Sequence, residues 1–208
     1  MIIFATIINP QKSKNMKKLF ILLSLIAIVT GGIAQEQHLT FKGVPIDGTM
    51  KECTAALIKA GLNVDSRENG MTFLTGEVAG YKGCIVGVVS AQDCDLVCSI
   101  GVLFPNRDQW TELENDFRQL KSMLTKKYGK PTRENEGFAM FVGNNINGMV
   151  MDAIREGQCE YYACYSTGLG DIELQIIEGM QPNTGLVRLT YFDKASVDKA
   201  QNSAMDDL

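Results

Sequence analysis

The stretch MTFLTGEVAGYKGCIVGVVSAQDCDLVCSIGVLF, residues 71–104, decides the fold. Three runs rich in Val, Ile and Phe, at 71–78, 81–90 and 94–104, are separated by Ala79-Gly80 and by Ala91-Gln92-Asp93. β-Branched and aromatic side chains suit a pleated, half-buried surface, and Gly and Asp between them turn the chain, so the spacing predicts an antiparallel meander. Immediately downstream the period changes. Trp110, Leu113, Phe117, Leu120, Leu124 and Tyr128 recur every three or four residues, the apolar stripe of one helix, with Asp108 placed to cap it and Gly129 and Pro131 to end it. A stripe of that width predicts packing against the meander.

Upstream, Leu39-Thr40-Phe41 reads as a short strand and Pro45-Ile46-Asp47-Gly48 as a turn. Thr49 and Glu52 stand in capping-box spacing, and Met50, Cys53, Leu57 and Gly61 share a face, predicting a helix over 49–61 that stops at Gly61. Beyond a hinge at 129–133, short strands are predicted at 138–142, 149–154, 159–166, 172–177 and 186–192, with a short helix inside 144–157 as the alternative to the second of them. The polar tail 194–208 is either a short surface helix or without order. Strand, helix, three strands, helix and four or five strands make an α+β fold: an antiparallel sheet of seven to nine strands with two main helices packed on it. A duplication into two helix-plus-meander halves fits that order, although no residue-level repeat accompanies it.

The first 34 residues read differently. Residues 16–34, MKKLFILLSLIAIVTGGIA, combine Lys17 and Lys18, an apolar run at 19–29 and the small-x-small site Gly32-Ile33-Ala34, the three parts of a secretory signal peptide. The apolar run is about half the ~20 residues a membrane-spanning helix needs, so cleavage is expected and no transmembrane anchor after it. Residues 1–15 are read as an upstream artefact and 35–208 as a single compact domain, periplasmic or secreted. Without the four lysines of residues 1–34 the chain has 16 basic and 24 acidic residues, a net charge of −8. That balance disfavours nucleic acid as a partner, because phosphate binding needs a clustered basic face.

Three strings carry a resemblance: Leu39-Thr40-Phe41-Lys42-Gly43-Val44-Pro45-Ile46-Asp47-Gly48-Thr49, the helix from Trp110 into Tyr128-Gly129-Lys130-Pro131, and Tyr191-Phe192-Asp193 with Asp206-Asp207-Leu208. Over most of residues 35–208 the chain resembles uncharacterised exported proteins of Bacteroidetes. The resemblance implies export and brings no activity or site residue with it.

Six cysteines, at 53, 84, 94, 98, 159 and 164, lie beyond the signal segment, and an even count in an oxidising compartment predicts at least one disulfide between neighbouring strands or between a helix and the sheet. Cys94 and Cys98 cannot pair if both lie on one regular strand, where four residues span ~13 Å. Cys159 and Cys164 would point to opposite faces of theirs, and Cys53 fits a buried thiol. No C-x-x-C and no paired Cys/His spacing argue for thiol catalysis or a metal, and no cofactor motif is present. His38, the one histidine, is read as solvated near the mature terminus, which leaves no Ser-His-Asp or Cys-His centre. The acid pairs Asp93/Asp95, Glu134/Glu136 and Asp171/Glu173 are the remaining candidates for catalysis. Tyr161, Tyr162 and Tyr165 crowd one strand, Tyr161 and Tyr165 on one face and Tyr162 on the other, and a tyrosine-rich strand can form a binding platform. The reading is a non-catalytic binding protein whose partner is an envelope protein, peptide or glycan held on the sheet face or edge. A carboxylate-dependent hydrolase of an envelope polymer and a periplasmic enzyme inhibitor are the alternatives.

Overall fold

The computed structural model describes residues 37–206, other than 69, 92–93 and 140–145. The signal segment therefore lies outside the described residues. A two-stranded hairpin, β1 (Thr40–Phe41) and β2 (Val44–Pro45), leads into helix α1 (Met50–Lys59). A meander of four strands follows: β3 (Asn63–Glu68), β4 (Met71–Val78), β5 (Tyr81–Ser90) and β6 (Val97–Leu103). Then come the long helix α2 (Trp110–Tyr128), β7 (Arg133–Asn135), α3 (Ile146–Arg155), the strands β8 (Tyr162–Thr167), β9 (Gly170–Glu178) and β10 (Gly185–Asp193), and a closing helix α4 (Lys194–Asp206). The fold is α+β with one large antiparallel sheet.

That sheet has eight strands in the order β3-β4-β5-β6-β10-β9-β8-β7. Each half is a helix followed by four antiparallel strands, interrupted in the second half by α3 between β7 and β8, and the two final strands, β6 and β10, pair antiparallel at the centre. The palindromic order is what a duplicated helix-plus-meander unit produces when its copies join through their last strands.

Local chemistry explains the elements. Thr49 and Glu52 form the capping box, each side chain accepting from the other's backbone N–H, and so start α1 where the spacing places it. Helix α2 buries Trp110, Leu113, Phe117, Leu120 and Leu124, the stripe read from the sequence, but its N-cap is Gln109 rather than Asp108. Arg107 ties the incoming loop to the helix by a 2.7 Å ion pair with Asp116, itself nearly buried. On the strands the inward set is Leu74, Val86, Val88, Ile100, Val102, Ile172, Leu174, Ile176, Val187 and Leu189, and these form one core with the buried faces of α1, α2 and α3.

Two readings change. Residues 149–154 lie in helix α3, the alternative read for 144–157, and not in a strand: Val150, Met151, Ala153 and Ile154 are buried together on one face of the helix. Strand β3 escapes the sequence reading because its residues are polar and mostly exposed, with no alternation to detect.

His38 also departs from expectation. Its side chain is only 10% exposed, with Nδ1 at 2.8 Å from buried Asp193 and Nε2 at 3.4 Å from Asp47. Asp193 accepts in addition from the Leu39 N–H at 2.7 Å and the Ser196 N–H at 3.0 Å, so one carboxylate holds the incoming chain and caps α4. The segment carrying His38 is thereby fastened to the sheet rather than loose.

Candidate functional site

In the described part of the chain every helix packs on the face that carries the core, and the register fixes what the opposite face displays. Across all eight strands one row runs Ser66, Phe73, Gly87, Gly101, Thr190, Glu173, Cys164, Arg133. A second runs Asn63, Thr75, Ile85, Leu103, Arg188, Gln175, Tyr162, Asn135. The third is Glu68, Met71, Val89, Ser99, Phe192, Asp171, Ser166. None of these residues joins the core cluster. Partners in a register share a face, so the rows form one open surface, most of it half-buried only by its own neighbours.

The chemistry of this surface changes at its midline. Over β4, β5 and β6 the three rows are uncharged, with Met71, Phe73, Ile85, Val89 and Leu103 around the glycine pair Gly87 and Gly101. A Cβ on Gly87 would touch the Phe73 ring at 3.6 Å, whereas one on Gly101 would meet nothing within 4 Å, so the surface dips there. Over β7 to β10 it carries Arg133, Arg188, Glu173 and Asp171.

A shallow cavity of about 210 Å³ lies in the charged half, lined by Arg133, Tyr162, Cys164, Glu173, Leu174 and Gln175. It is smaller than the roughly 300–1,000 Å³ of pockets that enclose a whole small molecule, and suits one projecting group of a larger partner. At its floor the Cys164 thiol donates weakly to Glu173 at 3.9 Å and receives an Arg133 N–H at 3.8 Å. Burial and the neighbouring Glu173 push this thiol up, against the opposing pull of Arg133. It is therefore a protonated, weakly nucleophilic group at neutral pH. Arg188 donates to Gln175 at 2.8 Å. Among the described residues neither Arg133 nor Arg188 has a carboxylate at ion-pair distance, whereas Arg107, Arg118 and Arg155 each do.

The three tyrosines separate. Tyr162 lies in the cavity wall, but Tyr161 and Tyr165 point into the core and are buried. Tyr161 packs edge-on against Trp110 at 4.9 Å and Phe117 at 5.7 Å, and its hydroxyl donates to Glu114 at 3.2 Å. Burial first and Glu114 second push that phenol up to about 12. Tyr165 reaches the Lys121 carbonyl at 3.1 Å. A three-tyrosine platform is thus not formed, because alternation on a strand sends only the middle residue outward.

The acid pairs are likewise redistributed. Glu134 and Glu136 both hold Lys121 from α2, and Asp95 accepts from the Met50 N–H at the start of α1. Asp93 lies outside the described residues. Asp171 and Glu173, two apart on β9, share the open face. All six cysteines are free thiols, so the expected bridge is not made in this structure. Cys94 sits in a bend before β6 rather than on the strand with Cys98, which removes the regular-strand argument against that pair.

The sheet edges offer little to a partner strand. Strand β3 is bulged between Val64 and Ser66 and carries Asp65, Arg67 and Glu68, while β7 has three residues. Charges, bulges and shortness are the usual means of blocking edge pairing. Of the two surfaces named from the sequence, the face is the better built. Glu173 was read there as one of a pair of candidate acids, whereas Arg133, Gln175 and Arg188 were not legible as site residues. The signal that marks them is the polar member of each alternating pair in β9 and β10, above all Arg188 within the apolar run Leu186-Val187-Arg188-Leu189.

Comparison with known proteins finds no matching family model, no matching curated protein and no matching solved structure.

Proposed function

We propose that this chain is a non-catalytic binding protein of the cell envelope, exported through the signal segment 16–34, that holds a macromolecular partner on the charged half of its open sheet face. The observation that carries the reading is the pair Arg133 and Arg188, two guanidiniums on an uncovered face with no carboxylate partner among the described residues. Guanidinium groups bind carboxylates in a two-pronged fashion, so a carboxylate-bearing protein, peptide or acidic glycan is the class that fits. The cavity beside Tyr162 takes one projecting group of such a partner, and Tyr162 supplies a flat amphipathic contact with little entropy to lose. Export and the kinship with exported Bacteroidetes proteins belong to the same proposal.

The test is affinity capture from a native envelope extract, using the chain from Gln35 as bait beside the double variant Arg133→Ala/Arg188→Ala. A species retained by the parent and lost by the variant supports the reading. Equal capture by both overturns it, as does substrate turnover that disappears in Glu173→Gln, which favours the hydrolase alternative.

A further inference from the structure

The uncharged half of the open face has a second property, self-complementarity. Strands β4 and β6 flank β5 on either side, and in each row one of them presents a large residue and the other a small one. Phe73 on β4 is matched by Gly101 on β6, Met71 by Ser99, and Leu103 on β6 by Thr75 on β4. Between them β5 presents Ile85, Gly87 and Val89. A two-fold axis along β5, placed between two sheets packed face to face, exchanges β4 with β6. It therefore sets Phe73 of one copy over Gly101 of the other, Met71 over Ser99, Leu103 over Thr75, and Ile85 and Val89 over themselves. Large meets small at all three β4–β6 positions, which is what interdigitation of sheets ~10 Å apart requires. The space above Gly101 is open, so the hole exists before the knob arrives. Beyond these strands the same axis brings Thr190 of β10 over Ser66 of β3, Arg188 over Asn63 and Phe192 over Glu68, a mostly polar rim.

We infer that a second copy of this chain is the occupant of the β4–β5–β6 face, forming an isologous dimer about an axis along β5. Five strands at ~4.8 Å spacing and three side-chain rows at ~6.8 Å give a footprint on the order of 500 Å² per copy. The total of roughly 1,000 Å² stands at the lower bound for a specific interface, so a dimer that dissociates in the micromolar range is expected. None of the row residues on β4, β5 and β6 is charged, and the two charges under the footprint, Glu68 on β3 and Arg188 on β10, stand at its rim. This inference centres on a different half of the face from the proposed partner site: it leaves Arg133 and Tyr162 open and reaches Arg188 only at its rim, and its variants on β5 and β6 do not touch that site, so either can fail without the other.

The experiment is sedimentation equilibrium on the chain from Gln35 across the micromolar range, with Gly101→Phe and Val89→Lys as variants. Both substitutions lie on the open face, and circular dichroism checks that the fold is kept. The expected result is a monomer–dimer equilibrium whose dissociation constant rises at least about tenfold in each variant. A chain that stays monomeric throughout, or a dimer that neither substitution weakens, overturns the inference.

Discussion

Removing the Asp193 carboxylate tests whether the fold depends on the clasp between its two ends. In the native structure this buried group accepts from the His38 ring, the Leu39 N–H and the Ser196 N–H. Asp193→Ala removes an N-cap, worth about 1 kcal/mol, and strands the buried Leu39 N–H, worth about 1–3 kcal/mol. With the charge-assisted bond from His38 weakened as well, the total loss is about 3–5 kcal/mol. Asp193→Asn keeps the shape and one acceptor oxygen and should cost about half as much. Urea unfolding of the chain from Gln35, extrapolated to water at constant slope, measures both. His38→Ala alone should cost about 1 kcal/mol, and combined with Asp193→Ala it should add less than its separate effect, because the two substitutions remove the same bond. A loss below about 1 kcal/mol for Asp193→Ala, or strict additivity with His38→Ala, refutes the clasp.

Two further outcomes follow from the electrostatics. Lys121, hydrogen-bonded to Glu136, holds that carboxyl below the ordinary carboxylate range, so its contribution to stability is present above the unfolded value and is lost as pH falls through the depressed folded value. Glu136→Gln should therefore lower the urea midpoint near neutral pH and leave it almost unchanged in strong acid; an equal shift at both refutes the assignment. Burial pushes the Cys53 and Cys159 thiols up to about 11, whereas Cys94 is half-exposed in a bend. Alkylation at pH 8 read by peptide mass spectrometry should label Cys94 first and reach Cys53 only on unfolding. Early labelling of Cys53 counts against its place in the core.

The elements that packing dictates were legible in the sequence. The α2 stripe, the alternation of β4 to β6 and the Thr49/Glu52 box are local signals, each readable within a dozen residues. What escaped depends on neighbours distant in sequence. Strand β3 exists because β4 offers it a ladder, not because its own residues prefer extension. Helix α3 was ambiguous because a short apolar run has too few turns to reveal its period. His38 looked solvated because its anchor is 155 residues away.

The site failed to show for a related reason. Tyr161 and Tyr165 attracted notice because aromatic residues are conspicuous, yet strand alternation assigns them to the core and gives the surface to the plainer residues between. Arg133, Cys164, Glu173 and Thr190 belong to four different strands, and only the register across β7, β8, β9 and β10 aligns them in one row. The same register separates the two halves by chemistry: in these rows β4 to β6 present uncharged, size-matched residues, while β7 to β10 present the guanidiniums that have no carboxylate partner among the described residues. Two meanders of like topology therefore carry unlike surfaces, and a face shaped to pack against its own copy stands beside one charged to hold something else. Such a division needs both halves in one continuous sheet, because the β6–β10 pairing is what keeps the two surfaces on the same side.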